Sequence, residues 1–323
     1  MNLAPASLSP LASADGLALM LHDWPAPTGA PRAQVLLVHG LGEHAGRYAR
    51  LAAELRDWGF AVRAYDQRGH GLSGGPRGGL THDTALLDDL AAVMDATRSM
   101  QQRRGQQGLP LILIGHSLGG LVASRFVSLQ MRPVDALVMS SPALDSGLST
   151  WQKCLVATLP AIAPNLRVNN GLDPRYLSHD PAVVAAYLAD PLVHPKISAR
   201  LARFIATAGP ATVAAAAHWC VPTLLLYAGD DHLVNPVGSR AFAAVASASA
   251  QVQPGILSAQ VFESLYHEIF NEAPSGAAAV RAALKTWLDA RFLPVLDYSG
   301  QRRLALLPGQ PAQCHADHAQ RQQ

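Results

Sequence analysis

Apolar residues along this chain fall into two alternating rhythms. Short, nearly unbroken runs at Gln34 to Val38, Phe60 to Tyr65, Leu111 to Ile114 and Ala136 to Ser140 read as buried strands, and Leu17 to Trp24 as an earlier one. Between the runs, apolar positions recur every three or four residues. A helix from about Tyr48 to Trp58 places Leu51, Leu55 and Trp58 on one face. A second, from about His82 to Arg104, does the same with Leu86, Leu90, Val93 and Thr97, and a small-residue stretch from Gly120 to Leu129 makes a third. Strands alternating with helices of this length predict an α/β fold with a mostly parallel central sheet and helices on both faces.

The rhythm breaks between about Leu144 and His218. The text there is rich in Pro and Ala, with helical pieces at Thr150 to Leu159, Pro181 to Leu188 and Ile197 to Thr207 and no strand pattern. An inserted helical cap lying over the carboxyl edge of the sheet accounts for this better than a second independent domain. The alternation resumes with a strand at Thr223 to Ala228, a helix near Gly238 to Ala246, a strand at Ala259 to Glu263 and a helix from Ala277 to Phe292. After Ser299 the chain turns rich in Gln, Arg and His and reads as a poorly ordered tail. The expected organisation is a core at 1–143 and 219–296, a cap at 144–218 and a tail at 297–323.

Composition narrows the function. Charged residues are 15% of the 323, and the formal net charge is +2 without a basic run or stripe, so the electrostatic footprint that nucleic-acid binding needs is absent. Cys154, Cys220 and Cys314 are odd in number and widely spaced, with no metal-type spacing, which predicts free thiols in a reducing compartment. Met1 to Pro10 lacks the basic and apolar regions of a signal peptide, and no stretch nears the roughly 18 apolar residues of a membrane span. A soluble, cytoplasmic chain is expected.

Candidate chemistry centres on Gly115-His116-Ser117-Leu118-Gly119, set between the strand Leu111 to Ile114 and the following helix. A G-x-S-x-G sequence in that position is a nucleophile elbow. The turn strains the serine backbone and brings neighbouring chain so close that a Cβ at either flank would clash. The strain lifts the Ser117 hydroxyl out of the sheet, and the first turn of the helix points free N–H groups toward it.

A serine nucleophile needs a base, and the base a carboxylate, in the chain order Ser, acid, His with each after a strand. His267 is the base that fits, since it follows a different strand from the acid and can approach Ser117 across the sheet edge. His232 adjoins the acid itself. Asp230 and Asp231, both after the strand Thr223 to Ala228, compete for the acid's place. Oxyanion donors are expected at the backbone N–H of Leu118 and of Leu41, in His39-Gly40-Leu41-Gly42. His39, Glu43 and His44 invite a metal reading, but H-x-x-x-E-H is one residue too long for the zinc signature, so neither metal nor cofactor is expected. Asp66-Gln67-Arg68-Gly69-His70-Gly71 reads as a buried loop whose side chains tie backbone together.

Five ordered blocks now carry a resemblance: His39-Gly40-Leu41-Gly42-Glu43-His44, Asp66-x-Arg68-Gly69-His70-Gly71-x-Ser73, Gly115 to Gly120, Gly229-Asp230-Asp231-x-Leu233-Val234, and Tyr266-His267-Glu268-Ile269-Phe270-Asn271-Glu272. From about Asp15 to Phe292 the chain resembles the monoacylglycerol lipase/lysophospholipase family of α/β hydrolases, grouped with serine aminopeptidase-like enzymes. The resemblance implies the α/β-hydrolase fold, with the nucleophile at Ser117, the histidine at His267 and oxyanion donors at Leu41 and Leu118. The family's acid precedes one variable residue and an apolar pair, a register that implies Asp231. It further implies a serine hydrolase acting on a monoacylglycerol or lysophospholipid through an acyl-enzyme. Leu155 to Ile162 then reads either as a wall for an acyl chain, in a cap that touches membranes or micelles transiently, or as ordinary packing of cap on core. A short-chain carboxylesterase, thioesterase or peptidase on the same scaffold, or a non-catalytic hydrolase-like binding protein, are the alternatives.

Overall fold

The computed structural model describes residues 5–27, 29–147, 156, 158–249 and 251–293. In chain order the strands are β1 (Ser7–Ala12), β2 (Ala18–Asp23), β3 (Gln34–Val38), β4 (Ala61–Asp66), β5 (Leu111–His116), β6 (Ala136–Ser140), β7 (Arg167–Asn169), β8 (Lys196–Ser198), β9 (Thr223–Ala228) and β10 (Leu257–Phe262). The helices are α1 (Ala49–Asp57), α2 (Ala85–Arg103), α3 (Leu118–Ser128), α4 (Pro181–Ala189), α5 (Ala199–Ala215), α6 (Val237–Ala248) and α7 (Pro274–Arg291). Eight strands form one sheet in the order β1-β2-β4-β3-β5-β6-β9-β10. It is parallel from β4 to β10 and antiparallel where β1 meets β2 and β2 meets β4.

Period-two alternation explains the unbroken apolar runs. Leu36, Val38, Leu111, Leu113, Leu137, Met139 and Leu225 bury against α2 and α3, beside Leu86, Leu90 and Phe126. The interleaved Val35, Leu37, Ile112, Ile114, Val138, Leu224 and Leu226 bury on the other face, with Leu51 and Leu55 of α1 and Val280, Leu284 and Leu288 of α7. β3, β5, β6 and β9 are therefore apolar on both sides, as the centre of a sheet sandwiched between helix layers requires. Together these surfaces hold β3, β5, β9 and β10 in a register that brings their carboxyl ends to one edge.

Three differences from expectation have physical causes. β1 was not anticipated: five of its six residues are exposed, so it carries no burial pattern, and it tolerates Pro10 at the sheet margin. The stretch between β6 and β9 was expected to lack strands, yet β7 and β8 pair there as a short antiparallel ribbon. All three residues of β7 are exposed, so no alternation marks it. α5 continues past Thr207 through Pro210 to Ala215. An interior proline costs about 3 kcal/mol, and buried Leu201, Phe204, Ala208 and Thr212 offset it by packing the helix against the core.

The helical piece expected at Thr150 to Leu159 falls largely outside the described residues, where 158–162 are helical. The tail expected at 297–323 lies outside them altogether. Cys220 is disulfide-bonded, which overturns the expectation of a free thiol there. Among the described residues no helix is long and apolar enough to cross a membrane.

Candidate active site

β5 ends at His116 and α3 begins at Leu118, leaving Ser117 alone in the turn at φ 53° and ψ −120°. That backbone lies in the positive-φ region that side chains avoid. Flanking glycines permit it. A Cβ on Gly119 would overlap the Val38 carbonyl oxygen of the neighbouring strand, and one on Gly115 would overlap the Gly119 carbonyl. The strained residue is pinned through its backbone, with Ser117 N donating to the Ser140 carbonyl at 2.9 Å and Ser117 O accepting from Ala143 N at 3.1 Å.

His267, in the loop after β10, is buried and bonds through Nδ1 to Asp231 Oδ2 at 2.7 Å. The other oxygen, Asp231 Oδ1, accepts the backbone N–H groups of Leu233 and Val234, both at 2.9 Å. Burial alone would raise the Asp231 pKa, but His267 and these N–H groups hold it below the ordinary value. His267 runs the other way: burial pulls its pKa down, yet the Asp231 charge and hydrogen bond leave it above the ordinary value. With an ionised carboxylate on Nδ1, that nitrogen carries the proton and Nε2 is the free base. The His116 ring lies 4.7 Å from that of His267, and burial followed by the neighbouring imidazole depresses its pKa to about 4, keeping it neutral.

One cavity gathers Ser117, His267, Gly40 and Leu41. Leu41, Leu172, Pro174, Leu177 and Leu233 supply its apolar wall, and Glu43, Tyr187 and Glu268 its polar side. The Gly40 N–H is already committed to Glu43 Oε1 at 2.6 Å, which leaves Leu41 as the next donor of that loop. Leu118 opens α3, where an N–H has no acceptor within the helix. Four of the lining residues (Leu172, Pro174, Leu177 and Tyr187) come from between β6 and β9, whose chain also bonds to the core loops through His194 N to the Gly42 carbonyl at 2.9 Å.

A charged network behind this cavity escaped the sequence reading. Arg47 donates through Nη1 to Glu43 Oε2 at 2.7 Å and to Glu268 Oε1 at 2.6 Å, and through Nη2 to Glu268 Oε2 at 2.8 Å. Its guanidinium lies 4.9 Å from the centre of the Tyr187 ring. Burial would raise Glu43, but Arg47 holds its carboxyl at about 2. The i,i+4 spacing of Glu43 and Arg47 is a legible signal. Glu268, 221 residues further on, gives none.

His39 and His44 do not converge on a common point. His39 bonds to the Gly40 carbonyl and the Gln67 N–H, and His44 to Asp190. Among the described residues no group of His, Cys, Asp and Glu is arranged to hold a metal ion. The Asp66 loop knits backbone together, with Asp66 accepting from Ala45 N and Leu72 N while Arg68 bonds to Asp89 and Asp15.

A serine in a strained strand-to-helix turn, with a histidine and carboxylate paired after later strands of a parallel sheet, defines a serine hydrolase of the α/β-hydrolase fold. Residues 29–274 match the family model "Serine aminopeptidase, S33", and the chain belongs to that family. It is 34% identical over 265 residues to a monoacylglycerol lipase of Mycolicibacterium smegmatis, covering 81% of this chain and 90% of that one. It is 33% identical over 254 residues to phospholipase YtpA of Bacillus subtilis, covering 77% and 93%. Among solved structures, the monoacylglycerol lipase of Paleococcus ferrophilus superposes with a TM-score of 0.73 at 32% identity, covering 84% of this chain and 98% of that one. These relatives bear out both the fold class and the family resemblance read from the five sequence blocks.

Proposed function

We propose that this serine hydrolase cleaves the ester bond of a monoacylglycerol or lysophospholipid. Ser117 attacks the ester carbonyl while His267 Nε2 takes its proton, and Asp231 orients the ring and stabilises the imidazolium. The N–H groups of Leu41 and Leu118 receive the oxyanion. His267 then returns the proton to the departing alcohol, and water, activated by the same histidine, releases the fatty acid. The 2.7 Å contact between His267 and Asp231, with His267 and Ser117 lining one cavity, carries this reading.

The substrate class rests on two supports. Relatives that match over most of their length are named as a monoacylglycerol lipase and a phospholipase. In addition, the apolar wall suits an acyl chain, while Glu43, Tyr187 and Glu268 offer hydrogen bonds to a polar alcohol. Residues 144–218 act in this proposal as a cap between the core segments 1–143 and 219–296. The cap meets membranes or micelles transiently through exposed Ile162, Leu166 and Val168. The expected cytoplasmic setting rested partly on free thiols, and a disulfide at Cys220 removes that support.

The test is a panel of p-nitrophenyl esters from two to sixteen carbons beside monoacylglycerol and lysophosphatidylcholine, with a fluorophosphonate probe. Probe labelling lost in Ser117→Ala, and turnover of one of the two lipids, are the expected results. Hydrolysis confined to the shortest esters would point to a carboxylesterase instead.

A further inference from the structure

Glu272 sits at the end of the loop that carries His267, just before α7, and is 3% exposed. Its carboxylate gathers five donors. Oε1 accepts from Ser178 Oγ at 3.1 Å, His179 N at 2.6 Å and Ala273 N at 2.8 Å. Oε2 accepts from Tyr266 N at 2.9 Å and lies 3.0 Å from His179 Nδ1. Tyr266 directly precedes His267. Ser178 and His179 belong to the stretch between β6 and β9, 94 and 93 residues away. One buried carboxylate thus joins the histidine's loop to the inserted segment.

Other contacts run along the same seam. Glu268 N donates to the Leu177 carbonyl at 2.8 Å and His267 N to the Tyr176 carbonyl at 3.4 Å. The His179 ring stacks on Tyr266 at 3.6 Å, and Tyr176 stacks at 4.3 Å on His232, the neighbour of Asp231. Residues 176–179 therefore touch the loops of both the base and the acid. Glu272 and its donors do not line the cavity of Ser117 and His267, and both of its oxygens are already occupied, so it is not placed for proton transfer.

We propose that Glu272 is a positioning residue: by clasping Ser178 and His179 of the inserted segment to Tyr266, it seats the imidazole of His267 against Asp231. This rests on the Ser117–Asp231–His267 reading above. It also makes residues 176–179 a fixed part of the catalytic frame, whatever the rest of the cap does. A carboxylate is required, since the amide of a glutamine would turn an N–H₂ group toward donors.

The experiment uses the full chain and a soluble substrate, p-nitrophenyl butyrate, from pH 5 to 9, with thermal unfolding measured in parallel. Glu272→Gln is expected to lower kcat by about 10- to 100-fold with KM within about threefold, the loss typical of a misplaced catalytic group. The acid limb of kcat/KM should move to lower pH as the Asp231 contact loosens. The other groups facing His267, namely Glu43, Glu268 and His116, stay as they are. Should Glu272→Gln be unfolded at the assay temperature, His179→Ala, at a side chain 42% exposed, serves in its place. It should cost kcat about threefold or more with the limb moving the same way.

A folded variant with kcat within twofold of the parent, or with reduced kcat but an unmoved limb, overturns the proposal. Failure of the underlying reading shows separately, as activity that survives Ser117→Ala in the otherwise unaltered protein.

Discussion

Asp230 lies at the surface beside His232, 51% exposed, while the next carboxylate, Asp231, is 3% exposed and bonded to His267. Neighbours in sequence thus meet different surroundings because the loop after β9 turns between them. Asp231→Asn should leave the fold intact and lower kcat by about three to four orders of magnitude, since the amide holds the wrong histidine tautomer. Asp230→Asn should change kcat by less than about threefold, in line with its exposed contact with His232. Steady-state kinetics of both variants, with matched circular dichroism, check this, and a reversed order would move the acid to Asp230. The same pair sets the pH dependence. His267 must be neutral to accept the serine proton, and its pKa is raised above the ordinary value. Activity should therefore fall as pH drops through a limb above about 6.5, and a kcat/KM profile with its limb below that value would count against His267 as the base.

At the scale of elements, the stretch between β6 and β9 combines two behaviours. Its inner residues Leu172, Leu177 and Tyr187 line the cavity, and its outer ones include Ile162 at 86% exposure and Leu166 at 49%. The proposed membrane contact predicts that Ile162→Asp/Leu166→Asp lowers turnover of long-chain monoacylglycerol in micelles by about fivefold or more, the scale of losing two partly immersed side chains. Cleavage of p-nitrophenyl butyrate should hold, because Ser117 and His267 lie in the core. Parallel loss on both substrates would show instead that these side chains support the fold. The apolar stretch read at Leu155 to Ile162 bears on this only through 156 and 158–162, since 155 and 157 lie outside the described residues.

Across the whole molecule, His39, His70, His116 and His194 are buried and their pKa values lowered, with burial the leading cause in each. Each binds a proton more readily unfolded than folded, so unfolding takes up protons once pH falls below about 6.5. Stability contributed by keeping them neutral is present above that pH and is lost toward about 4, the value for His116 and His194. His267, raised, opposes this as a single group. The unfolding free energy should therefore fall by up to about 1.4 kcal/mol per pH unit for each histidine titrating between about pH 6.5 and 4, and the thermal midpoint should fall with it. Calorimetry across that range would refute the account if the midpoint stayed level.

What could be read from the chain alone was whatever local spacing encodes. Unbroken runs such as Leu111 to Ile114 announce a strand buried on both faces, and the three- and four-residue recurrences of α1 and α2 announce their inner sides. Ser117 was legible because its turn demands Gly115 and Gly119 within two residues of it, and His267 because the order of strands limits which histidine can reach that edge. Edge pieces such as β1 and β7 were silent, since exposed strands need no apolar alternation. The length of α5 was hidden by Pro210, whose local penalty is offset by packing with distant residues. Arg47 with Glu268, and Glu272 with Ser178 and His179, belong to the same class. Their partners lie 93 to 221 residues apart, and no spacing rule links positions that meet only after the sheet has assembled. Sequence therefore determined most of the elements, the nucleophile, and the type and order of its partners. The tertiary structure set Asp231, the carboxylate that the family register implied, against His267, and it alone decided what holds that histidine's loop and which residues of the inserted segment complete the cavity, because those are distances across the sheet edge rather than along the chain.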